Sequence, residues 1–365
     1  MKKHISSKKV GAQKNPKAMF AFYIGIDLGD KHCDVCVLDQ DGQPREQFRL
    51  PMRATALEEY FGTIGRSRVA IEAGGQSRWA AEVLERCGHE VYVANTRKVA
   101  YIFESDDKDD PGDAYKLAEL VHFKPRLLHP IQHRSQQLQA DLSWIRAREA
   151  LVESRTQLVN TVRGISKAFG GRLQKCSVEA FTAKLAEQIP AEIRGPAAPL
   201  LETIDDLNER IRYYDQMEKH LAQQRYPEYR LLEQVDGVGV HTALSYMLTI
   251  GDPRRFAKSR MVGCFLGLRP KKRDSGASQP QLGITKAGDG YLRKTLVNCA
   301  HYMLGPHGQD SDLRRFGQRI GERGGKNAKK RAVIAVARKL AVLLHRLWIS
   351  GEVYEPLRNS QPKAA

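Results

Sequence analysis

Tyr23-Ile-Gly-Ile-Asp-Leu-Gly-Asp30 is an apolar run that ends on a carboxylate and turns at once on glycine. Aromatic and β-branched residues at Phe22, Tyr23, Ile24 and Ile26 suit a buried, pleated strand, while Gly25 and Gly29 mark a close approach and a turn. An acid at a strand end, with no bulky neighbour behind it, can face a divalent cation and a phosphodiester together. Asp27 is therefore the first candidate metal ligand. A turn aspartate bonding its own backbone is the alternative that this stretch alone leaves open.

Beyond this run, alternation predicts a second strand over 33–39 and a third over 45–50, joined through Asp41-Gly42 as a hairpin. A helix over 54–62 leads to a short strand, Arg68-Val-Ala-Ile-Glu72, which again ends on a carboxylate before glycines, Gly74 and Gly75. An amphipathic helix over 77–87 and an apolar strand over 89–94 follow. Hairpin strands succeeded by alternating strands and helices predict a mixed α/β sheet with helices on its faces. Ligands of such sheets collect where strand ends gather, so Asp27 and Glu72 can meet there although 45 positions separate them.

The third acidic element is Glu104-Ser-Asp-Asp-Lys-Asp-Asp-Pro-Gly-Asp113, followed by helical spacing over 114–123. Pro111 at the first helical position makes Asp110 the N-cap and puts Asp113 in the first turn. Residues three apart share a helix face, so both carboxylates can reach one cation. Capping and the helix dipole explain the same two acids without chemistry. Asp109 with Asp113 serves as well geometrically.

Residues 133–224 predict long helices, with Ala140, Leu142, Ile145, Ala150, Leu151, Leu158, Val159 and Val162 as an apolar stripe among Arg146, Arg148, Arg155 and Arg163. This is the pattern of an extended helical spacer or coiled-coil arm whose arginines contact phosphates or, as is commoner, form a solvated face. From Tyr226 a second compact, mainly helical unit begins. Its Leu231-Leu-Glu-Gln-Val-Asp-Gly-Val-Gly239 stretch resembles the turn of helix-hairpin-helix DNA-binding elements, which offers backbone N–H groups to a phosphate; a plain helix-to-helix turn wants the same glycines. Arg269, Lys271, Lys272 and Arg273 then precede Ser275, whose hydroxyl is placed to attack a phosphodiester those cations draw in. Most serines in such loops are loop residues only. Lys286, Arg293 and Lys294 flank the next helix start, and Lys329, Lys330 and Arg331 open the last helix with Arg319, Arg323 and Lys326 nearby. Cations of that density suit phosphate contacts, or a solvated helix start.

Lysine and arginine number 59 against 42 aspartates and glutamates, a net charge of +17, so nucleic acid is the default partner. No run of about 18 apolar residues and no lipidation signal speaks for a membrane. The first 18 residues hold six lysines and no acid and lack the apolar core of a secretory signal, which predicts a disordered basic arm over 1–20 and a protein that stays in the cytosol. Cys33, Cys36, Cys87, Cys176, Cys264 and Cys299 are scattered and predict reduced thiols. Cys33 and Cys36 have the spacing of half a zinc site, but on a strand they point to opposite faces.

Several motifs taken in order resemble one family, the DEDD transposases of the insertion-sequence one-ten group, which are guide-RNA-directed (bridge-RNA) serine recombinases. YIGIDLGDKH at 23–32, VAIEAGG at 69–75, KDDPGDAYKLAEL at 108–120, VDGVGVHTA at 235–243, FLGLRPKKRDSG at 265–276 and LGITKAGDGYLRKTL at 282–296 carry the resemblance over 22–353. It implies an RNase H-like (RuvC-like) domain over 21–132, a helical coiled-coil spacer over 133–225, a C-terminal serine transposase domain over 226–353 and a tail over 354–365. The family's four acids fall on Asp27, Glu72, Asp110 and Asp113, which selects Asp110 over Asp109, and they are implied to hold magnesium, with manganese as a substitute, as two ions about 4 Å apart. Ser275 is implied to form a covalent serine-DNA intermediate in an active site shared with the acidic domain of a neighbouring protomer. Donor and target DNA, a structured non-coding RNA and a homo-oligomer of dimers paired into a tetramer are the implied partners. Thr285 stands where the family has serine, Asp109 where it has threonine, and Pro111-Gly112 fill a spacer that more often holds a polar or basic residue. A junction-resolving nuclease that uses water, and a non-catalytic nucleic-acid scaffold, are the competing readings.

Overall fold

The computed structural model describes residues 20–99, 110–273, 275, 278, 280 and 282–359, with the side chains of Arg97 and Asp110 excepted. The basic arm expected before residue 20 and the last residues of the tail lie outside that set. The chain divides into two compact units, meeting at His133/Arg134.

In the first unit, β1 (Tyr23–Leu28), β2 (His32–Leu38) and β3 (Pro44–Pro51) form an antiparallel meander, and β4 (Arg68–Glu72) and β5 (Glu90–Ala94) extend it in parallel, in the order β3-β2-β1-β4-β5. One sheet face carries Ile24, Ile26, Val35, Val69 and Ile71, buried under Leu57 and Phe61 of α1 (Ala54–Phe61) and Ala80 and Leu84 of α2 (Ser77–Arg86). A helical turn, α3 (Thr96–Val99), follows β5. The other face carries Ala70, Ala94, Cys36 and Leu38 under Ala114, Leu117, Ala118 and Val121 of α4 (Asp110–Phe123). Gly25 is what lets α4 sit so low, since a Cβ there would stand 1.9 Å from the Ala114 carbonyl oxygen and 2.4 Å from the Ala118 amide nitrogen. Cys33 and Cys36 are free, buried and packed into the cores on opposite faces of the sheet, as the strand alternation requires.

The second unit is helical. α5 (Gln136–Ala168) and α7 (Arg194–Arg225) run antiparallel, with Arg148 meeting Asp215 and Arg155 meeting Asn208, and α6 (Phe181–Leu185) packs in the connection. Their far ends have a core of their own around Val159, Val162, Phe181 and Ile204. Their near ends, through Ile145 and Ala222, are rooted in the core built by α8 (Tyr229–Glu233), α9 (Val240–Ile250), α10 (Arg260–Phe265), α11 (Gly290–Leu304), α12 (Asp312–Glu322) and α13 (Ala328–Ser350). α9 is buried all round from Thr242 to Ile250 and is the axis of this core.

The stripe expected on α5 needs correction. Ile145, Val159 and Val162 are buried, but Ala140 and Ala150 are exposed, and Asp141 and Arg155 lie in the seam. These charges are tolerated because they are met: Asp141 accepts from Arg225 and Tyr226 at 2.8 and 2.6 Å, and Arg155 donates to Asn208 and Glu179 at 2.7 and 2.8 Å.

Candidate active site

The four candidate acids belong to the first unit, and the sheet register brings two of them together. Gly25 pairs with Ala70 and Ile26 with Ile71 across β1 and β4, so Asp27 and Glu72 occupy the next positions on these adjacent parallel strands. Side chains alternate along a strand, so Asp27 shares the α4 face with Gly25, as Glu72 does with Ala70. α4 runs antiparallel to β1: its His122 ring lies 4.5 Å from the Tyr23 ring, and its Ala114 sits over Gly25. Its first turn, with Asp110 and Asp113, is thereby directed to the Asp27 end of the strand. Gln47 of β3 fastens that turn by donating to the Pro111 carbonyl at 2.7 Å. Asp113 forms an ion pair with Lys116 at 3.0 Å, while the Asp110 side chain lies outside the described residues. Among the described residues no three of His, Cys, Asp or Glu are grouped closely enough to hold one metal ion.

Sequence reasoning missed two neighbours of this row. Asp34 of β2 pairs directly with Asp27, and Arg49 of β3 pairs with Asp34. Asp34 is buried and accepts from two Arg49 nitrogens, Nε at 3.3 Å and Nη2 at 3.1 Å. A lone acid inside the apolar strand His32–Leu38 was the available signal. Glu72, Asp27, Asp34 and Arg49 thus form one row across four strands on the face that α4 covers. The acids of this row offer carboxylate oxygen only, donors suited to a hard divalent cation and not to a thiolate-seeking metal.

Ser275 belongs to the second unit. After α10 the chain turns at Gly267, at φ +67°, where a Cβ would stand 2.3 Å from the Ala287 backbone nitrogen. Leu268–Pro270 then runs beside the segment that returns to α11. Lys286 N donates to Gly267 O, Thr285 N to Arg269 O, and Lys271 N to Gly283 O at 2.9–3.1 Å, with Pro270 bridged to Ile284. Toward the tip of this ribbon Ser275 and Ser278 exchange backbone hydrogen bonds of 3.2 and 3.0 Å. Ser275 is exposed, as are Arg269, Lys271, Lys272, Arg273 and Lys286.

The remaining candidate cations divide. Lys329, Lys330 and Arg331 open α13 on the surface, Arg331 also donating to the Gly324 carbonyl. Arg293 instead points into its own fold, donating to the Leu266 and Ala287 carbonyls at 3.0 and 2.9 Å and closing the base of the ribbon. Lys294 pairs with Glu149 and Glu153 at 3.2 and 3.1 Å, so its charge is already answered by α5.

The IS110-type DEDD transposase model matches residues 24–168, and a model described as Transposase IS116/IS110/IS902 family matches residues 229–318. A chain of Sinorhizobium fredii named as transposase y4pF/y4sB is 30% identical over 346 residues, covering 91% of this chain and 85% of its own length. A Pseudomonas aeruginosa chain named as a family 20 transposase is 29% identical over 342 residues (91% and 98% covered), and the transposase for insertion sequence element IS1111A of Coxiella burnetii is 26% identical over 343 (91% and 90%). The chain belongs to the IS110 family of DEDD transposases, enzymes that act on DNA.

Proposed function

We propose that this transposase is an RNA-guided DNA recombinase whose nucleophile is Ser275, assisted by Asp27, Glu72, Asp110 and Asp113 in an RNase H-like (RuvC-like) domain. The observation that carries the reading is the carboxylate row: two strand-end acids side by side under the first turn of a helix that brings two more. Capping alone accounts for acids on α4, but not for Asp27 and Glu72 at adjacent positions of one sheet face. The sheet order β3-β2-β1-β4-β5 with α4 across it supports the RNase H-like assignment.

In this mechanism Arg269, Lys271, Lys272, Arg273 and Lys286 bind backbone phosphates and carry no sequence information, which pairing between a guide RNA and the donor and target DNA supplies. The Ser275 hydroxyl gives up its proton as its oxygen bonds to phosphorus. The P–O bond to the departing strand breaks, and the departing oxygen is protonated. A hydroxyl of the incoming strand then displaces Ser275, so phosphodiesters are exchanged without net hydrolysis. Asp27, Glu72, Asp110 and Asp113 would hold magnesium, which when bound supplies positive charge against that developing on the phosphate oxygens. Dimers paired into a tetramer would bring the acidic unit of one protomer to the serine of another.

The test incubates the purified protein with its element's non-coding RNA, donor and target DNA and magnesium. Wild type is expected to yield protein-linked DNA on denaturing gels and recombinant junctions, and Ser275→Ala neither. Full recombination by Ser275→Ala overturns the nucleophile. Cleaved ends with no protein-linked strand point to water as the nucleophile.

A further inference from the structure

Beside the serine ribbon the second unit holds a groove of about 1330 Å³, walled by Pro270, Gly283 and Ile284 on one side and by α12, α13 and the C-terminal segment on the others. Its floor is apolar: Phe316, Ile320, Ile334, Val342 and Leu343 are all half-buried, Phe316 and Leu343 also packing against the core beneath. Its rim is cationic. Among the described residues that line it, nine are Lys or Arg and only two, Asp312 and Glu355, are acidic. Arg323, Lys330 and Lys339 are exposed, and the Lys339 ammonium lies 3.8 Å over the Phe316 ring. The C-terminal segment is fixed as a wall, with Asp312 N donating to the Pro356 carbonyl at 2.7 Å and Asn359 donating twice to the Asp312 carboxylate.

We propose that this groove is a binding site for an unpaired, single-stranded stretch of nucleic acid, its bases lying on the apolar floor and its phosphates against the rim. The proposal rests on the reading above, that Ser275 acts on a DNA strand, and extends it to what holds a strand once it leaves the duplex. Charge selects the occupant class: Arg346 and Arg358 are paired with Glu352 at 2.8 and 2.7 Å, and the lysines and arginines that remain still outnumber the rim's acids and complement a polyanion. The floor selects the strandedness. A duplex hides its base faces and would leave Ile334, Val342 and Leu343 uncovered, whereas an unpaired base has an apolar face to lay on them. The volume exceeds the roughly 300–1,000 Å³ of small-molecule pockets and suits several nucleotides. Because one wall is the ribbon that carries Ser275, a strand in the groove leads toward that hydroxyl.

The experiment measures fluorescence anisotropy of a labelled single strand of about 12 nucleotides and of the same sequence as a duplex, with full-length protein across a salt series. Ile334→Asn is expected to weaken single-strand binding about tenfold and leave duplex binding unchanged. Arg323→Ala with Lys330→Ala is expected to weaken single-strand binding and flatten its slope of log affinity against log salt by about 1.4, the release of two phosphate contacts. Should Ile334→Asn melt early, the nearly isosteric Val342→Thr takes its place, with an expected loss of about threefold. Folded floor variants that bind single strands like wild type overturn the proposal. So does an Ile334→Asn protein whose mass in solution changes while its oligonucleotide affinity does not, since the groove then seats a second protein chain. Either result, alongside normal Ser275 adducts, removes this site alone; absence of adducts from wild type removes the underlying reading.

Discussion

Replacing Gly25 by alanine tests how the candidate acids are brought together. The new Cβ would lie 1.9 Å from the Ala114 carbonyl oxygen, 2.4 Å from the Ala118 nitrogen and 2.9 Å from the Leu117 Cβ. Two of these atoms are backbone, so no rotamer change relieves the clash. An ordinary carbon–oxygen contact is about 3.3 Å, so α4 must retreat by roughly 1.4 Å. That lifts Leu117, Ala118 and Val121 off Ala70 and Leu38, an overpacking cost of about 1–3 kcal/mol. With a urea dependence of about 1–3 kcal/mol per molar, the first unit's unfolding midpoint should fall by about 1 M. Asp113 travels with α4, and a misplacement of about 1 Å at reacting groups costs about a hundredfold in rate. Urea denaturation followed by circular dichroism and the yield of recombinant junctions read the two effects. Gly164→Ala in α5, where a Cβ meets nothing within 4 Å, is the control and should gain about 0.5–1 kcal/mol. If Gly25→Ala unfolds at the wild-type midpoint and recombines at the wild-type rate, α4 does not rest on β1 and the convergence argument is wrong.

Two further outcomes follow from the electrostatics. Burial, ahead of smaller effects, pushes the Cys33 thiol up to about 11, and burial likewise raises Cys36 and Cys299; with Ellman's reagent at mildly alkaline pH, exposed Cys264 should react fast and these three only on unfolding. The backbone N–H of Glu179 itself holds its carboxyl below the ordinary 4.5 against opposing burial, with Arg155 and Ser177 assisting. A depressed folded value means stability that is present above pH 4.5 and lost as pH falls through the lower folded value. Glu179→Gln should therefore lower the urea midpoint at neutral pH and remove that acid-side loss; an unchanged acid limb refutes the coupling.

Elements whose causes are local were legible in the order of residues alone. The strands around Asp27 and Glu72, the hairpin at Asp41-Gly42 and the start of α4 near Pro111 all follow from alternation and turn chemistry, which act between residues a few positions apart. That order also marked Asp27, Glu72 and the basic approach to Ser275, because an acid at a strand end or four cations before a serine is visible in one dimension. Tertiary structure alone decided what depends on partners far along the chain. Only the register across β1, β2 and β3 shows that Asp34 and Arg49 continue the acidic row. Arg155 looks like a solvated arginine until Asn208 and Glu179 arrive from other segments. That the Arg293 Nη1 donates to the Leu266 and Ala287 carbonyls is likewise invisible in one dimension. Burial and pairing are properties of neighbours in space, and neither the apolar-floored groove nor the depth at which α4 meets Gly25 exists before those neighbours meet.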